Sequence, residues 1–293
     1  MTGPTRAPRS VRTPDRVMWI NGELRRGSDA TLTLFDRGAR DGEGLFETLA
    51  VHGGVPFLWE RHLERMVLAA AELGFPVPPS PAVLREALDR VLEANGLHDA
   101  AARITVTRGV PGNRPTRTGA WIEAEPLGAR LWSGTRLGAA RAIISGRPFE
   151  PGSLGPYKTT SRLPWHLARE EARAARVDEA LLAAADGEIL EGSVSNVFAV
   201  IDGEVRTPPL ARGILPGITR ARVLALCREL EIEAREARLD AATLRAADEA
   251  FVTNSLQGVV PLASLDGRAF PARATGERLR EAYRREAAAI TAG

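Results

Sequence analysis

The glycine turns of the first half limit the folds open to this chain most sharply. Asn21-Gly22 stands inside "RVMWINGELRRG" and Gly53-Gly54 inside "GLFETLAVHGGVPFLW", each between short β-prone runs. Such dipeptides close antiparallel hairpins, because the tight primed turns require residues that tolerate positive φ. Helical periodicity follows at once. In "ERHLERMVLAAAELG", Leu63, Met66, Val67 and Ala70 recur at i, i+3, i+4 and i+7, and Gly74 stands where a helix ends. Ser80 and Pro81 open a second helix with the stripe Leu84, Ala87, Leu88, Val91 and Leu92, closed by Gly96. The runs "ARITVTRG" and "AWIEAEP" read as strands. The order predicts an antiparallel sheet with helices on one face.

Periodicity lapses in "PLGARLWSGTRLG", which places a boundary near Gly128 to Gly138. Beyond it come a strand "RAIIS", a loop holding "GPYKTT" and a helix over residues 163–175. Strands "EALLAA" and "SNVFAVIDGEVRTP" follow, then a helix in "PGITRARVLALCREL" with Val223, Leu226, Cys227 and Leu230 on one side. Strands "EAREARL" and "EAFVTNS" and a last helix over 276–290 complete the pattern. The class is α/β (α+β) with two domains. Residues 1–16 are expected to be a flexible basic tail, 17–130 an N-terminal α/β domain, 131–138 a linker and 139–293 a C-terminal domain. The tail carries Arg6, Arg9, Arg12 and Arg16 against Asp15 alone, with no apolar period.

Composition excludes several functions. At 293 residues and 44% apolar, the chain can bury two cores. No apolar run reaches membrane-spanning length and no signal-peptide core is evident. One cysteine, Cys227, rules out an internal disulfide framework and a cysteine-rich metal site, and points to the cytoplasm. The four histidines never take His-x-x-x-His spacing, so no metal is expected. Net charge is +2 and aromatic content 5%, a poor basis for nucleic-acid binding.

The basic residues carry the sharpest signal. Lys158, in "GPYKTTSRL", is the only lysine; every other basic residue apart from histidine is arginine. Chance in an arginine-biased sequence is one explanation. Chemistry is the other: arginine stays protonated, whereas lysine can lose its proton when buried and act as an amine nucleophile or base.

Four segments bear on that choice. "LPGITR" reads as a helix start in which Gly217, Ile218 and Thr219 offer free N–H groups and a hydroxyl to an anion. By itself it is better read as an ordinary Pro-Gly helix start, since every helix has such an end. Glu191, in "EILEGSVSNVF", could hold a proton on a ring nitrogen, or be a turn acid; Asn196 could stabilise the same turn. Arg61 and Arg65 in "ERHLERM" are helix neighbours, and spacing alone favours a solvated face for both. Thr253, Asn254 and Ser255 end a strand and suit ligand hydrogen bonds, or merely a turn. Together these segments supply an amine, an anion site, a carboxylate and an arginine, the parts a pyridoxal phosphate site requires.

In order and spacing, "DRGARDGEGLFETL", "HLERM", "YKTTSRLPWHLAREEA", "DEALLAAADGEILEGSVSNVF", "TPPLARGILPGITR" and "EAFVTNSLQGVVPL" resemble the class IV aminotransferases, the fold-type IV pyridoxal phosphate enzymes. The resemblance spans about Met18 to Phe270. It implies an N-terminal α/β sandwich, a C-terminal α/β barrel-like domain and a homodimer with the cofactor, pyridoxal 5'-phosphate, between domains. It also implies roles. Lys158 forms the Schiff base and shuttles the proton, and Glu191 pairs with the pyridine nitrogen. Arg65, Ile218, Thr219 and Ser255 hold the phosphate with Asn254 beside it, and Asn196 supports the loop.

The family divides by reaction, and the substrate clamps differ. The D-amino-acid enzymes carry Arg-x-His after a "TRG"-like strand end; this chain has "TRGVPGNRPTRTG", with Arg114 and no following histidine. The branched-chain enzymes carry Tyr-x-Arg and a tyrosine shortly after the lysine. Here the strand reads Ala101-Ala102-Arg103, and Thr159 to Leu163 hold no tyrosine. Both clamps are incomplete, and "DGEGLFETL", "YKTTSRL" and "TNSLQGVVPL" look most like 4-amino-4-deoxychorismate lyase, which releases pyruvate and p-aminobenzoate. The lyase is therefore the first expectation. A branched-chain, D-amino-acid or (R)-amine aminotransferase is the alternative, and a non-catalytic binding protein the remote one. Arg40, Phe46, Arg108 and Arg114 are the candidate substrate contacts.

Overall fold

The computed structural model describes residues 16–112, 118–127 and 138–290. Nearly all of the basic tail, Arg114 and most of the expected linker lie outside the described residues.

The first hairpin joins β1 (Val17–Ile20) to β2 (Glu23–Arg26), with positive φ at both Asn21 and Gly22. A single turn, α1 (Arg37–Arg40), is capped by Asp36, whose carboxylate accepts from the Gly38 N–H. Next come β3 (Gly44–His52), β4 (Val55–Pro56), α2 (Trp59–Glu72) and α3 (Pro81–Asn95). Two strands follow, β5 (Ala100–Thr107) and β6 (Ala120–Pro126). The strands pair in the order β2-β1-β6-β5-β3-β4, all antiparallel. One face takes both helices: α2 lies on β3, and α3 on β1 and β6. Leu49, Leu63, Leu84, Leu88, Ile104 and Ile122 are buried between them. The α3 reading holds in detail, with Ser80 as the side-chain cap, Gly96 left-handed at the end and the whole stripe buried. In α2 the stripe is displaced. Val67 is 39% exposed, and Trp59 and His62 are buried instead, because the face follows a 3.6-residue period through Leu63, Met66 and Ala70.

The second sheet begins at β7 (Ala140–Pro148). A 3-10 turn (Gly152–Leu154) leads past Lys158 into α4 (Leu163–Ala174), then β8 (Glu179–Ala183), β9 (Ile189–Gly192), β10 (Asn196–Ile201) and β11 (Glu204–Thr207). The chain continues through α5 (Ile218–Glu229), β12 (Ala234–Glu236), α6 (Ala241–Ala246), β13 (Glu249–Asn254), β14 (Gly258–Leu265), β15 (Arg268–Ala269) and α7 (Ala274–Ala289). The order is β12-β11-β10-β13-β14-β7-β8-β9, with β15 on β14 and mixed strand directions. Edge strand β9 returns against β10, which curls the sheet into a half-barrel. Helix α4 covers β7 and β8, while α5 and α7 pack together against β13 and β14.

Among the described residues the two sheets share no strand, yet one segment ties them. Strand β4 pairs only with Val51 and His52, so the rest of that edge of β3 is open. Residues 158–160 take it: Phe46 N–H donates to Lys158 O at 2.9 Å and Thr160 N–H to Gly44 O at 2.8 Å. Thr160 Oγ1 also donates to Gly42 O at 2.8 Å. A Cβ at Gly44 would come within 2.8 Å of Thr160 Oγ1, so this strand edge needs glycine there to accept the lysine segment.

Candidate active site

A cavity of about 470 Å³ opens where the lysine segment meets the half-barrel. Lys158, Phe46, Arg65, Glu191, Thr219 and Ser255 are among its walls. The Lys158 ammonium lies 4.8 Å from the Phe46 ring centroid. Desolvation, with the Arg65, Arg162 and Arg103 charges nearby and Glu47 opposing, lowers its pKa to about 7. An amine poised near neutrality serves as both nucleophile and base.

Across the cavity, α5 begins at Gly217. The first N–H groups of a helix have no intrahelical partner, and the backbone dipole makes that end attractive to anions. A Cβ on Gly217 would collide with Asn196 Oδ1, while Asn196 Nδ2 donates to Leu215 O at 3.0 Å. Asn196 thus braces the approach to the helix. Asn254 Oδ1 accepts from the Leu256 and Gln257 N–H groups, both at 3.0 Å, and shapes the turn that presents Ser255. Beside it Thr253 Oγ1 is buried with no hydrogen-bond partner.

Arg65 reaches this cradle from α2 and is not on a solvated face. Its Nη1 donates to Pro216 O at 2.8 Å, just before the helix. Its Nε and Nη2 fork onto Glu47 at 2.8 and 2.7 Å, and His62 Nδ1 lies 2.7 Å from Glu47 Oε2. Burial works against the Glu47 charge, but Arg65 and His62 outweigh it and bring its pKa down to about 2. Glu47 is therefore an acceptor, and His62 donates. Arg61, four residues earlier, is exposed with a loose ion pair to Glu64.

Glu191 lies within β9, where all four residues are buried, and not in a polar turn. Trp165 Nε1 donates to its Oε1 at 2.8 Å and Leu215 N–H to its Oε2 at 3.2 Å. Burial nevertheless raises its pKa. A neighbouring buried acid, Glu179, accepts from the Ser193 and Ser195 hydroxyls and from the Ser193 N–H, and so fixes the turn from Ser193 to Ser195.

Of the candidate substrate contacts, the structure brings only Phe46 to the cavity. Arg40 is exposed on α1. Arg108 is committed elsewhere: it donates to Leu73 O, pairs with Glu43 and stacks over Phe75. Neither lines the cavity, and Arg114 lies outside the described residues. Arg103, Arg162, Glu47, His62 and Trp165 complete the site and were not singled out from the sequence. Glu47 had a signal. Strand alternation puts it on the same face as Leu45, Leu49 and Val51, and an acid on a helix-covered face must find a cation.

The family description Amino-transferase class IV matches residues 44–265. The chain belongs to the class IV aminotransferases. A Methanocaldococcus jannaschii relative, provisionally named a branched-chain-amino-acid aminotransferase, is 33% identical over 91% of this chain and 95% of its own. The aminodeoxychorismate lyase of Bacillus subtilis is 28% identical over 85% and 87%. Among solved class IV structures, the branched-chain aminotransferase of the archaeon Thermoproteus uzoniensis with norvaline superposes with a TM-score of 0.84. It is 29% identical and covers 92% of this chain and 94% of its own. A second, the T.th. branched-chain amino acid aminotransferase complexed with N-(5'-phosphopyridoxyl)-L-glutamate, superposes with a TM-score of 0.81. It is 26% identical and covers 93% of this chain and 94% of its own.

Proposed function

We propose that this class IV enzyme is a pyridoxal phosphate-dependent aminotransferase that moves an amino group between an amino acid and a 2-oxo acid. One observation carries the reading: an amine held near pKa 7 stands between an anion cradle and a buried carboxylate. The residues suit this cofactor. The start of α5, Arg65 and the orphaned Thr253 hydroxyl offer a phosphate its donors, and Gly217 keeps open the space a side chain would fill. Glu191, with Trp165 and Leu215 on it, retains lone pairs for a protonated ring nitrogen, a cation that would offset its burial.

Bound there, pyridoxal phosphate supplies an electron sink for the pair left when a substrate carbon loses its proton. The protein does the rest. Lys158 Nζ takes that proton in its neutral form and can return it. Arg65, Ile218, Thr219 and Ser255, with Asn254 shaping the turn, anchor the phosphate. Arg103, whose guanidinium stacks 3.7 Å from the centroid of the Phe46 ring, offers a carboxylate partner on the substrate side.

The relative at 33% identity puts the aminotransferase ahead of the lyase and so reverses the order expected from the clamps. The lyase stays as a second reading because Thr159 to Leu163 lack a tyrosine and a lyase is among the relatives. A product assay separates them. The enzyme is given D- and L-amino acids and an (R)-amine with 2-oxo acids, and separately 4-amino-4-deoxychorismate. Amino transfer without p-aminobenzoate is expected; pyruvate and p-aminobenzoate without transfer would overturn the reading. A homodimer, a cytoplasmic location and the division into domains at 17–130 and 139–293 belong to the same proposal. Among the described residues no helix is long and apolar enough to cross a membrane.

A further inference from the structure

Arg162 has no task in that reading. It is 9% exposed, its Nη1 is buried without a hydrogen-bond partner, and its guanidinium carbon lies 3.9 Å from the Trp165 ring centroid. Stacking leaves Nη1 unused, and a buried guanidinium with an unpartnered N–H is costly. The same side chain lines the cavity with Lys158 and Glu191. Its backbone is fixed at the start of α4: its N–H donates to Thr160 O at 2.9 Å and its carbonyl accepts from His166 N–H at 3.0 Å.

The folding pattern says which side of the cavity it serves. Arg162 rides on α4, which packs on β7 and β8, whereas the phosphate cradle belongs to α5, which packs on β13 and β14. In pyridoxal phosphate the phenolic oxygen and the phosphate arm flank the aldehyde carbon on opposite sides, with the ring nitrogen across from it. With the aldehyde carbon at Lys158, the nitrogen at Glu191 and the phosphate at α5, the phenolic oxygen turns to the side away from α5. We propose that Arg162 donates from Nη1 to this phenolic oxygen, as a positioning and tuning contact that makes or breaks no covalent bond. It rests on the cofactor reading above. A charge-assisted bond there satisfies the guanidinium and keeps the oxygen ionised. Trp165, beneath Arg162 and bonded to Glu191, couples the two contacts.

The test uses holoenzyme of the wild type, Arg162→Met and Arg162→Lys, with circular dichroism to confirm folding. Borohydride reduction and peptide mass come first. If the wild type carries no cofactor on Lys158, the cofactor reading falls, whatever Arg162 does. The visible band of the bound cofactor is then titrated with pH. In Arg162→Met the midpoint should rise by about one pH unit or more, because the cation that favours the ionised oxygen is gone. Arg162→Lys, which keeps the charge without the planar fork, should recover part of that shift. Full recovery would reduce Arg162 to a distant charge and overturn the hydrogen bond. An unchanged midpoint also overturns the proposal; if KM then rises for a 2-oxo dicarboxylate and not for a 2-oxo monocarboxylate, Arg162 binds substrate instead. If Arg162→Met does not fold, Arg162→Gln, with an uncharged donor, is titrated in its place. Its midpoint should also rise, and an unchanged one overturns the proposal equally.

Discussion

At the scale of single residues, chemistry concentrates on one amine. Lys158→Arg keeps a charge beside Phe46 but cannot form the covalent link, so turnover should fall to background while folding persists. Appreciable activity in that variant would sink the mechanism. Apoprotein capture of pyridoxal phosphate, followed by its visible band, should quicken as pH rises through about 7, since only the neutral amine attacks a carbonyl. A rate that climbs only near the ordinary lysine value would contradict the cavity's effect on Lys158. Glu47 gives a stability prediction. Its pKa is about 2 when folded against 4.5 for the free group. A depressed folded value contributes stability above the unfolded pKa and loses it as pH falls from about 4.5 through about 2. The difference amounts to about 3 kcal/mol. Glu47→Gln should therefore lower stability at pH 7, and the gap to wild type in urea unfolding should shrink through that acid window. A gap independent of pH would refute the ion-pair account.

At the scale of elements, the start of α5 does the binding and Gly217 sets its reach. Gly217→Ala pushes a Cβ into Asn196, displaces the brace on Leu215 and crowds the anion end. Pyridoxal phosphate affinity should drop by about tenfold or more with circular dichroism unchanged; unaltered affinity in an equilibrium titration would remove α5 from the phosphate site. Elements whose signals are local were legible. Asn21-Gly22, Ser80-Pro81 and Gly96 each fix a turn or cap through their own backbone preferences. Strand β9 was missed as a strand because its pattern is not local. Glu191 looks like a turn acid until the donors from Trp165 and Leu215 are in place. Arg65 shows the same limit from the helix side: i, i+4 spacing cannot tell a surface pair from one solvated and one buried arginine.

At the scale of the whole molecule, the proposed dimer makes a prediction. Leu34 and Phe35 stand side by side at 82% and 70% exposure, and an interface would cover them. Sedimentation should give twice the 31.5 kDa chain mass, and Leu34→Asp with Phe35→Asp should shift it toward the monomer. A wild-type monomer at micromolar concentration would refute the dimer. By itself the sequence determined the hairpins, the capped helices, the lone amine and the order of motifs that marks the family. These depend on backbone preference and spacing along the chain. Only the tertiary structure decided which polar groups meet. It sent Arg65 to Glu47, turned Arg108 toward Leu73 and away from the cavity, and set Arg162 beside Glu191. The reason is physical: a charge's role is set by its burial and its partners, and both come from residues far away in sequence that only the folded sheets bring together.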